Sequence, residues 1–494
     1  MMEEAVMANA ATGTEYEVVI GLEVHAQLLT ASKMFCRCSA SYITAGPNEN
    51  TCPVCLGMPG VLPVMNEEAI RDTILTGIAL GCTIPEVSKF DRKNYFYADL
   101  PKGYQISQFD QPLTVDGTLR FVVDGKEVSC GIERVHLEED AGTLHHLGSG
   151  IHSSHASLVD FNRAGVPLME IVGRPDLRTP KEAREYVTTL RRILMFIGVN
   201  DGNLEEGSMR CDANISLRPK GATELGAKVE VKNMNSFRSI ERALEHEIVR
   251  QTALLRRGET IPQETRGWID PENRTVSQRS KEQAHDYRYF PDPDLPALSI
   301  SRELVDELRR SLPELPSAMQ TRFVSSYGIS EYEAGVLTQE RSDAETFEEI
   351  VKRGVDPVLA ARWCIGDLAK LAKDSKTGIG ASGLGVEGVA ELLKLLHAGT
   401  INGATAKALA EELYTVGGSP AALVAERGLG KVSDRSAVEA MCQEAIAGNQ
   451  KAVEDFRGGK EAAFQSLVGA VMKASRGRAD AALVREVLTD LLSS

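Results

Sequence analysis

Between Val18 and Leu28 the even positions Val18, Ile20, Leu22, Val24, Ala26 and Leu28 are apolar, and the odd face carries Glu17, Gly21, Glu23, His25 and Gln27. Side chains alternate faces along a strand, so Glu23 and His25 project together from the non-core side. Met209 to Leu217 repeats the pattern. Met209, Cys211, Ala213, Ile215 and Leu217 form one face, and Arg210, Asp212, Asn214 and Ser216 the other. Val229 and Val231 alternate with Lys228, Glu230 and Lys232. Such alternation predicts antiparallel strands with one buried and one wet face. Here the wet face holds carboxylates, an imidazole and fixed cations.

Helical spacing separates these strands. Ala183, Val187, Leu190, Leu194 and Ile197 predict a helix over 180–197, with Pro180 suited to its first turn. Ile240, Leu244, Ile248 and Leu255 mark a second. The first part of the chain therefore reads as α+β, an antiparallel sheet with helices on one side. Beyond about residue 295, Ala-, Leu- and Glu-rich helical periodicity takes over. The change falls at Tyr287-Arg-Tyr-Phe-Pro-Asp-Pro-Asp-Leu-Pro296, where prolines break any regular element. A further join is expected in Gly378–Gly385 or near Gly399–Gly403.

The 494 residues suggest about three domains. With 70 acidic and 55 basic residues the net charge is −15, so any nucleic-acid contact must use a local patch. No apolar run approaches the ~20 residues of a membrane span. The start, Met1–Thr14, lacks a cationic segment leading into an apolar one, which points to a cytoplasmic protein.

Four of the nine cysteines are close together, as Cys36-Arg-Cys38 and Cys52-Pro-Val-Cys55. Two thiol pairs at this spacing can close a tetrahedral shell around a structural zinc ion; the alternative is four unrelated thiols. The others (Cys82, Cys130, Cys211, Cys364, Cys442) read as buried apolar residues. Glu23, His25, the run Glu138-Glu139-Asp140, Glu170 and Asp212 form a second candidate set. Carboxylates converging on one face need a cation such as Mg²⁺, whereas dispersed surface charges would need none. Lys89-Phe-Asp-Arg-Lys-Asn-Tyr-Phe-Tyr97, Lys232 and Arg288 supply cations for phosphate, with aromatics interleaved in the first. A partly buried surface strip explains the same composition. Gly378-Ile-Gly-Ala-Ser-Gly383 has the spacing of a dinucleotide fingerprint but no strand-like run before it, so it reads as a linker. Neither a phosphate-binding P-loop nor an amidase-type nucleophile is present.

Longer motifs are more specific. They are Gly21-Leu-Glu-Val-His25, Cys52-Pro-Val-Cys-Leu-Gly-Met-Pro-Gly-Val-Leu-Pro63, Lys89–Tyr97, Gly103-Tyr-Gln-Ile-Ser-Gln108 and His136-Leu-Glu-Glu-Asp-Ala-Gly142. Pro167-Leu-Met-Glu-Ile-Val172, Glu205-Glu-Gly-Ser-Met-Arg-Cys-Asp-Ala-Asn-Ile-Ser216, Glu230-Val-Lys-Asn-Met-Asn-Ser-Phe237 and Asp286-Tyr-Arg-Tyr-Phe-Pro291 complete the set. In these the chain resembles the GatB family, the B-type component of aspartyl/glutamyl-tRNA amidotransferases, over nearly its whole length.

The resemblance implies a catalytic cradle domain related to the glutamine synthetase fold over 1–295, with a zinc loop at 36–55. An all-α domain over 296–400 and a YqeY-like helical tail over 401–494 would follow. It implies Mg²⁺ held by Glu23, His25, Glu138, Glu139, Glu170 and Asp212, and ATP met by Lys93, Arg210, Asp212 and Arg288. Glu23, His25, Glu139, Glu170, Lys93 and Lys232 would be catalytic. Strand parity favours Glu138 over Glu139 unless the strand ends or bulges between them. The implied reaction is ATP-dependent phosphorylation of the side-chain carboxylate on Glu-tRNA(Gln) or Asp-tRNA(Asn), followed by amidation. Ammonia would come from the amidase (glutaminase) component of the same complex, GatA, with the small component GatC completing it. From Phe456 to Arg478 five basic residues face one acid, so Lys473, Arg476 and Arg478 are the expected tRNA contacts, against the alternative of an ordinary solvated helix face. Two other functions compete: a ligase acting on a free small acid, and a non-catalytic tRNA-binding scaffold.

Overall fold

The computed structural model describes residues 15–147, 156–280, 287–432, 434–475 and 477–493. The chain divides into two compact units, Met1–Leu315 and Pro316–Ser494.

The strands of the first unit are β1 (Tyr16–Gln27), β2 (Val87–Ser88), β3 (Asp91–Asn94), β4 (Tyr104–Ser107), β5 (Thr114–Val123), β6 (Lys126–Glu139), β7 (Thr143–Leu147) and β8 (Ala156–Asp160). They continue with β9 (Pro167–Gly173), β10 (Met209–Pro219), β11 (Val229–Lys232), β12 (Glu264–Ile269), β13 (Arg274–Ser280), β14 (Phe290–Pro291) and β15 (Leu298–Ser299). Eight form one sheet in the order β13-β12-β11-β10-β1-β9-β6-β5. Its pairs are antiparallel except β11 with β12, which are parallel and joined by a helix, as a parallel connection requires. β14-β3-β4, β15-β2 and the hairpin β7-β8 are small sheets.

Among the described residues, four α-helices belong to this unit: α1 (Glu67–Ala79), α2 (Pro180–Phe196), α3 (Phe237–Arg256) and α4 (Arg302–Ser311). The helix expected over 180–197 starts at a Thr179–Glu182 capping box with Pro180 in its first turn. Ala183, Val187, Leu190 and Leu194 of α2, with Ile240 and Leu244 of α3, join one core with Ile20, Leu22, Val24 and Ala26 of β1. That burial occupies one face of the sheet and leaves the polar side chains of β1 and β10 on the other. Val305 and Leu308 of α4 are buried in the same core, so the first unit extends past the proline-rich segment to Leu315.

The second unit is helical, with α5 (Pro316–Tyr327), α6 (Glu331–Leu337), α7 (Arg341–Lys352), α8 (Pro357–Ile365), α9 (Asp367–Ser375) and α10 (Gly385–His397). It continues through α11 (Gly403–Val416), α12 (Pro420–Glu426), α13 (Arg435–Gly448), α14 (Gln450–Arg457), α15 (Glu461–Ala474) and α16 (Ala481–Ser493). Val438, Cys442, Leu467, Val471, Val484 and Leu488 form a core within 438–492. A helix, not a strand, precedes the glycines at 378–383, which removes the dinucleotide reading. The stretch is also not a free linker. The Gly383 amide donates to Tyr414 O at 2.8 Å, and a Cβ there would lie 2.7 Å from the Gly417 nitrogen.

Candidate active site

Strand register brings the acidic set together. Across β10-β1-β9-β6, residues Arg210, His25, Glu170 and His136 are successive Cα partners and form a row over four strands. Beside it Glu23 pairs with Asp212, whose carboxylate accepts from Lys232 Nζ of β11 at 2.6 Å. Asn214 donates to Glu23 at 2.8 Å. Alternation alone puts these side chains on the face away from α2 and α3.

Glu170 is the pivot. Its Oε2 lies 3.3 Å from His136 Nε2 and 3.6 Å from His25 Nε2, and the carboxyl is held well below its ordinary range. Burial opposes that shift; the charge and hydrogen bond of His136, then those of His25, overcome it. His25 moves the other way. Burial disfavours its charged form, but Glu170, then Glu138 and Asp212, push it up to about 9. One ligand atom each from His25, Glu138 and Glu170 lies within 4.8 Å of the others, a set suited to one cation.

This face opens into a cleft of about 510 Å³ lined by His25, Lys93, Glu138, Arg210, Asp212 and Lys232, together with Asp140, Arg163 and the Glu205-Glu-Gly207 loop. Lys93 is held above its ordinary range; burial works against it, and the charge of Glu138 leads the groups that outweigh burial. Its ammonium lies 5.2 Å from the Tyr287 ring centre and 5.8 Å from that of Tyr95. Tyr289, stacked on Phe109 at 4.2 Å, extends this aromatic wall. Arg210 Nη2 donates to Asp140 Oδ2 at 2.9 Å, and the charge of Asp140 is the main cause of its raised pKa.

Two expected members are elsewhere. β6 runs unbroken through Glu138 and Glu139, and its irregularity lies back between Ile132 and Arg134. Parity therefore sends Glu139 away from the row. Its Oε1 accepts from the Ile106 amide at 3.0 Å and pairs with Lys102, so Glu139 is not among the grouped cation ligands. Arg288 is exposed, with φ at 45°, and does not line the cleft; the neighbouring Tyr287 and Tyr289 stand close to Lys93, which does. Sequence reasoning overlooked His136 as a site residue, although it shares the parity of Glu138. It also left out Arg163, which a turn delivers without any periodic signal.

The thiol sulfurs of Cys36, Cys38, Cys52 and Cys55 also lie within 4.8 Å of one another, so this cluster can bind a metal such as zinc. Cys55 is held below the ordinary thiol range by a hydrogen bond from Cys36, with the Cys52 amide and Lys33 adding to it. Cys130, Cys211, Cys364 and Cys442 are buried and Cys82 is half-buried. In the second unit, Lys473 is exposed at the end of α15. Arg478 is half-buried and donates to Gly428 O at 2.6 Å and Ser475 O at 3.2 Å, while Arg476 lies outside the described residues. No helix among the described residues is long and apolar enough to cross a membrane.

Residues 18–306 match the family model described as the GatB/GatE catalytic domain, and residues 345–492 match the GatB domain with its YqeY-like part. A protein of Dehalococcoides mccartyi, named as the B-type component of aspartyl/glutamyl-tRNA(Asn/Gln) amidotransferase, is 51% identical over 491 residues, covering 97% of this chain and 99% of that one. Proteins of the same name from Carboxydothermus hydrogenoformans and Thermomicrobium roseum are 49% and 51% identical, each with 97% of this chain and 99% of its own length covered. With both family regions matched in order and half of all positions shared along its length, the chain belongs to the GatB family of aspartyl/glutamyl-tRNA(Asn/Gln) amidotransferase components.

Proposed function

We propose that the cleft on the polar face of the large sheet is a kinase and transamidase site. There ATP phosphorylates the side-chain carboxylate of Glu-tRNA(Gln) or Asp-tRNA(Asn), and ammonia then displaces the phosphate to give the amide. The carrying observation is the row Arg210–His25–Glu170–His136 with Glu23, Asp212 and Lys232 beside it, opening into a cleft large enough for a nucleotide.

The donor set fits Mg²⁺, since His25, Glu138 and Glu170 converge and carboxylate oxygen dominates. Glu23 and Asp212 would complete the acidic wall, and the bound ion would offset charge on the phosphoryl oxygens. The protein's own part is positioning and charge. Lys93 and Lys232 stay protonated because carboxylates face them, so both offer fixed positive charge to a phosphate. Arg210, anchored on Asp140, presents a rigid guanidinium at the cleft wall. Tyr95 and Tyr287 shield the Lys93 side from water, which matters because an acyl phosphate hydrolyses readily. Glu170 orients both imidazoles, and with a cation bound His25 would ligate it as the neutral ring, having given up its proton.

In this reading the Cys36–Cys55 loop holds zinc structurally, the amidase component GatA supplies ammonia, the small component GatC completes the assembly, and the tail including Lys473 meets tRNA. A fold related to glutamine synthetase accords with the antiparallel sheet and its wet acidic face. The test is conversion of Glu-tRNA(Gln) to Gln-tRNA(Gln) by the purified complex with ATP and ammonium. Activity should vanish without this chain and fall by about a hundredfold or more in Asp212→Ala or Glu170→Ala, the scale of losing a group that stabilises charge in the transition state. Full activity in either variant would refute the assignment.

A further inference from the structure

Lys33 is wholly buried, an uncommon place for an ammonium. Its Nζ donates to Asn50 O at 2.7 Å and to Phe161 O at 3.2 Å, and lies 3.7 Å from Cys55 Sγ. These contacts use all three of its donors. Among the described residues no carboxylate pairs with it. A buried charge without an anion is costly, and the group in reach that can carry negative charge is the Cys55 sulfur. Four thiolates around a divalent ion leave a net charge of −2, so the cluster needs a cation as much as the ammonium needs an anion.

The ammonium also joins two segments. The turn after β8 begins at Phe161, whose carbonyl Lys33 holds, and Asn162 Oδ1 accepts from the Asn50 amide at 2.8 Å. At its far end the Met34 amide donates to Gly165 O at 2.7 Å. Gly165 has φ at 87°, and a Cβ there would lie 3.5 Å from both Cys55 Cβ and Lys33 Cδ, so the turn rests directly on the cysteine loop. Between these ends is Arg163, which lines the cleft and donates to Ala141 O and Gly142 O next to Asp140.

We infer that Lys33 is the counter-charge of the four-cysteine centre, and that through it the metal-loaded centre fixes the turn that delivers Arg163 to the cleft. Lys33 is thus a positioning residue, and the inference rests on the cysteines holding zinc.

The test uses the full-length chain in its complex, with Lys33→Met and Lys33→Gln. Gln retains donors for the two carbonyls but not the charge. Both variants should lose zinc to a chromophoric chelator about 10- to 100-fold more readily than the parent, the usual cost of removing a group that supports a metal ligand. Melting temperature should drop in the zinc-loaded variants and hold or rise in the stripped ones, because the stripped parent carries an ammonium with no anion. In the parent itself, which needs no variant to fold, stripping zinc should speed amide hydrogen exchange over 160–166. Zinc held as tightly in Lys33→Gln as in the parent, or equal destabilisation with and without zinc, would overturn the counter-charge. Unchanged exchange at 160–166 would overturn the link to Arg163. A parent chain that purifies without stoichiometric zinc, and does not take it up, defeats the metal reading itself.

Discussion

Exchanging Glu170 for Gln removes one charge and almost no volume from the centre of the row. The carboxylate oxygen there meets His136 Nε2 at 3.3 Å and His25 Nε2 at 3.6 Å, and His25 is pushed up from 6.5 to about 9. At ~1.4 kcal/mol per pH unit that rise is worth about 3 kcal/mol to the charged imidazole. Burial opposes it and survives the substitution, so His25 in the variant should titrate back toward 6.5. The sign follows from the raised value. Stabilisation by His25 is complete below its unfolded-state pKa and is lost as pH climbs through about 9. The parent chain should therefore lose about 3 kcal/mol of stability from this group between pH 6.5 and 9, and the variant distinctly less, since only Glu138 and Asp212 remain to raise His25. Histidine-selective NMR in metal-free buffer reads the titration directly, and denaturant unfolding reads it as a gap between the two chains that narrows with rising pH. If His25 titrates near 9 in both chains, Glu170 is not what holds its proton.

Lys232→Met should cost one charge-assisted phosphate contact, about 1.5–3 kcal/mol, read as a ~10- to 150-fold fall in kcat/KM for ATP; an unchanged value would remove Lys232 from the site. Cys52→Ser should lower bound zinc well below one per chain and expose the 36–55 loop to protease, and full zinc retention would count against a four-thiolate centre. Lys473→Glu should weaken tRNA binding and lower the salt slope by about one to two. Arg478→Ala should instead lower the tail's stability by about 1–3 kcal/mol through two freed carbonyls. An Arg478→Ala chain that binds tRNA poorly yet melts normally would reverse these roles.

Period-two alternation carried most of what the sequence revealed about the sheet. It placed Glu23, His25, Arg210 and Asp212 on one face before any pairing was known, because parity depends on the strand alone. Neighbours in the row were another matter. That His25 faces Glu170 across β1-β9, with residues 25 and 170 far apart in sequence, depends on strand order and register, which alternation does not encode. The same limit explains Arg163, which a turn delivers and which no periodic pattern marks. Glu139 shows the converse. Motif resemblance placed it with the cation ligands, local parity pointed to Glu138, and the unbroken pairing of β6 with β9 followed parity. The early boundary at 295 has a related cause. Prolines end β14 and its turn, but α4 returns Val305 and Leu308 to the first core, and only packing decides where a unit stops.

The ion pairs of the cleft have a consequence for how the proposed site fills. Asp212 with Lys232 and Asp140 with Arg210 match opposite charges across the cleft. The two pairs differ in how readily they part. The two cations are about equally exposed, at 37% for Lys232 and 39% for Arg210, so the difference lies in the carboxylates, and Asp212 at 17% is partly open to water that can replace its partner. Asp140 is almost wholly buried, accepting also from Gln27 at 2.8 Å, with its carboxyl held below the ordinary range; burial opposes this and Arg210 leads the groups that produce it. Breaking that pair would leave a buried charge unmatched. In the proposed site a cation meeting Asp212 and a phosphate meeting Lys232 would part the looser pair, with Glu230 still 3.3 Å from Lys232, while Arg210 would stay fixed on Asp140. Under the proposed function, Lys232 would then be the cation that follows the transferring group and Arg210 the one that defines where it must sit.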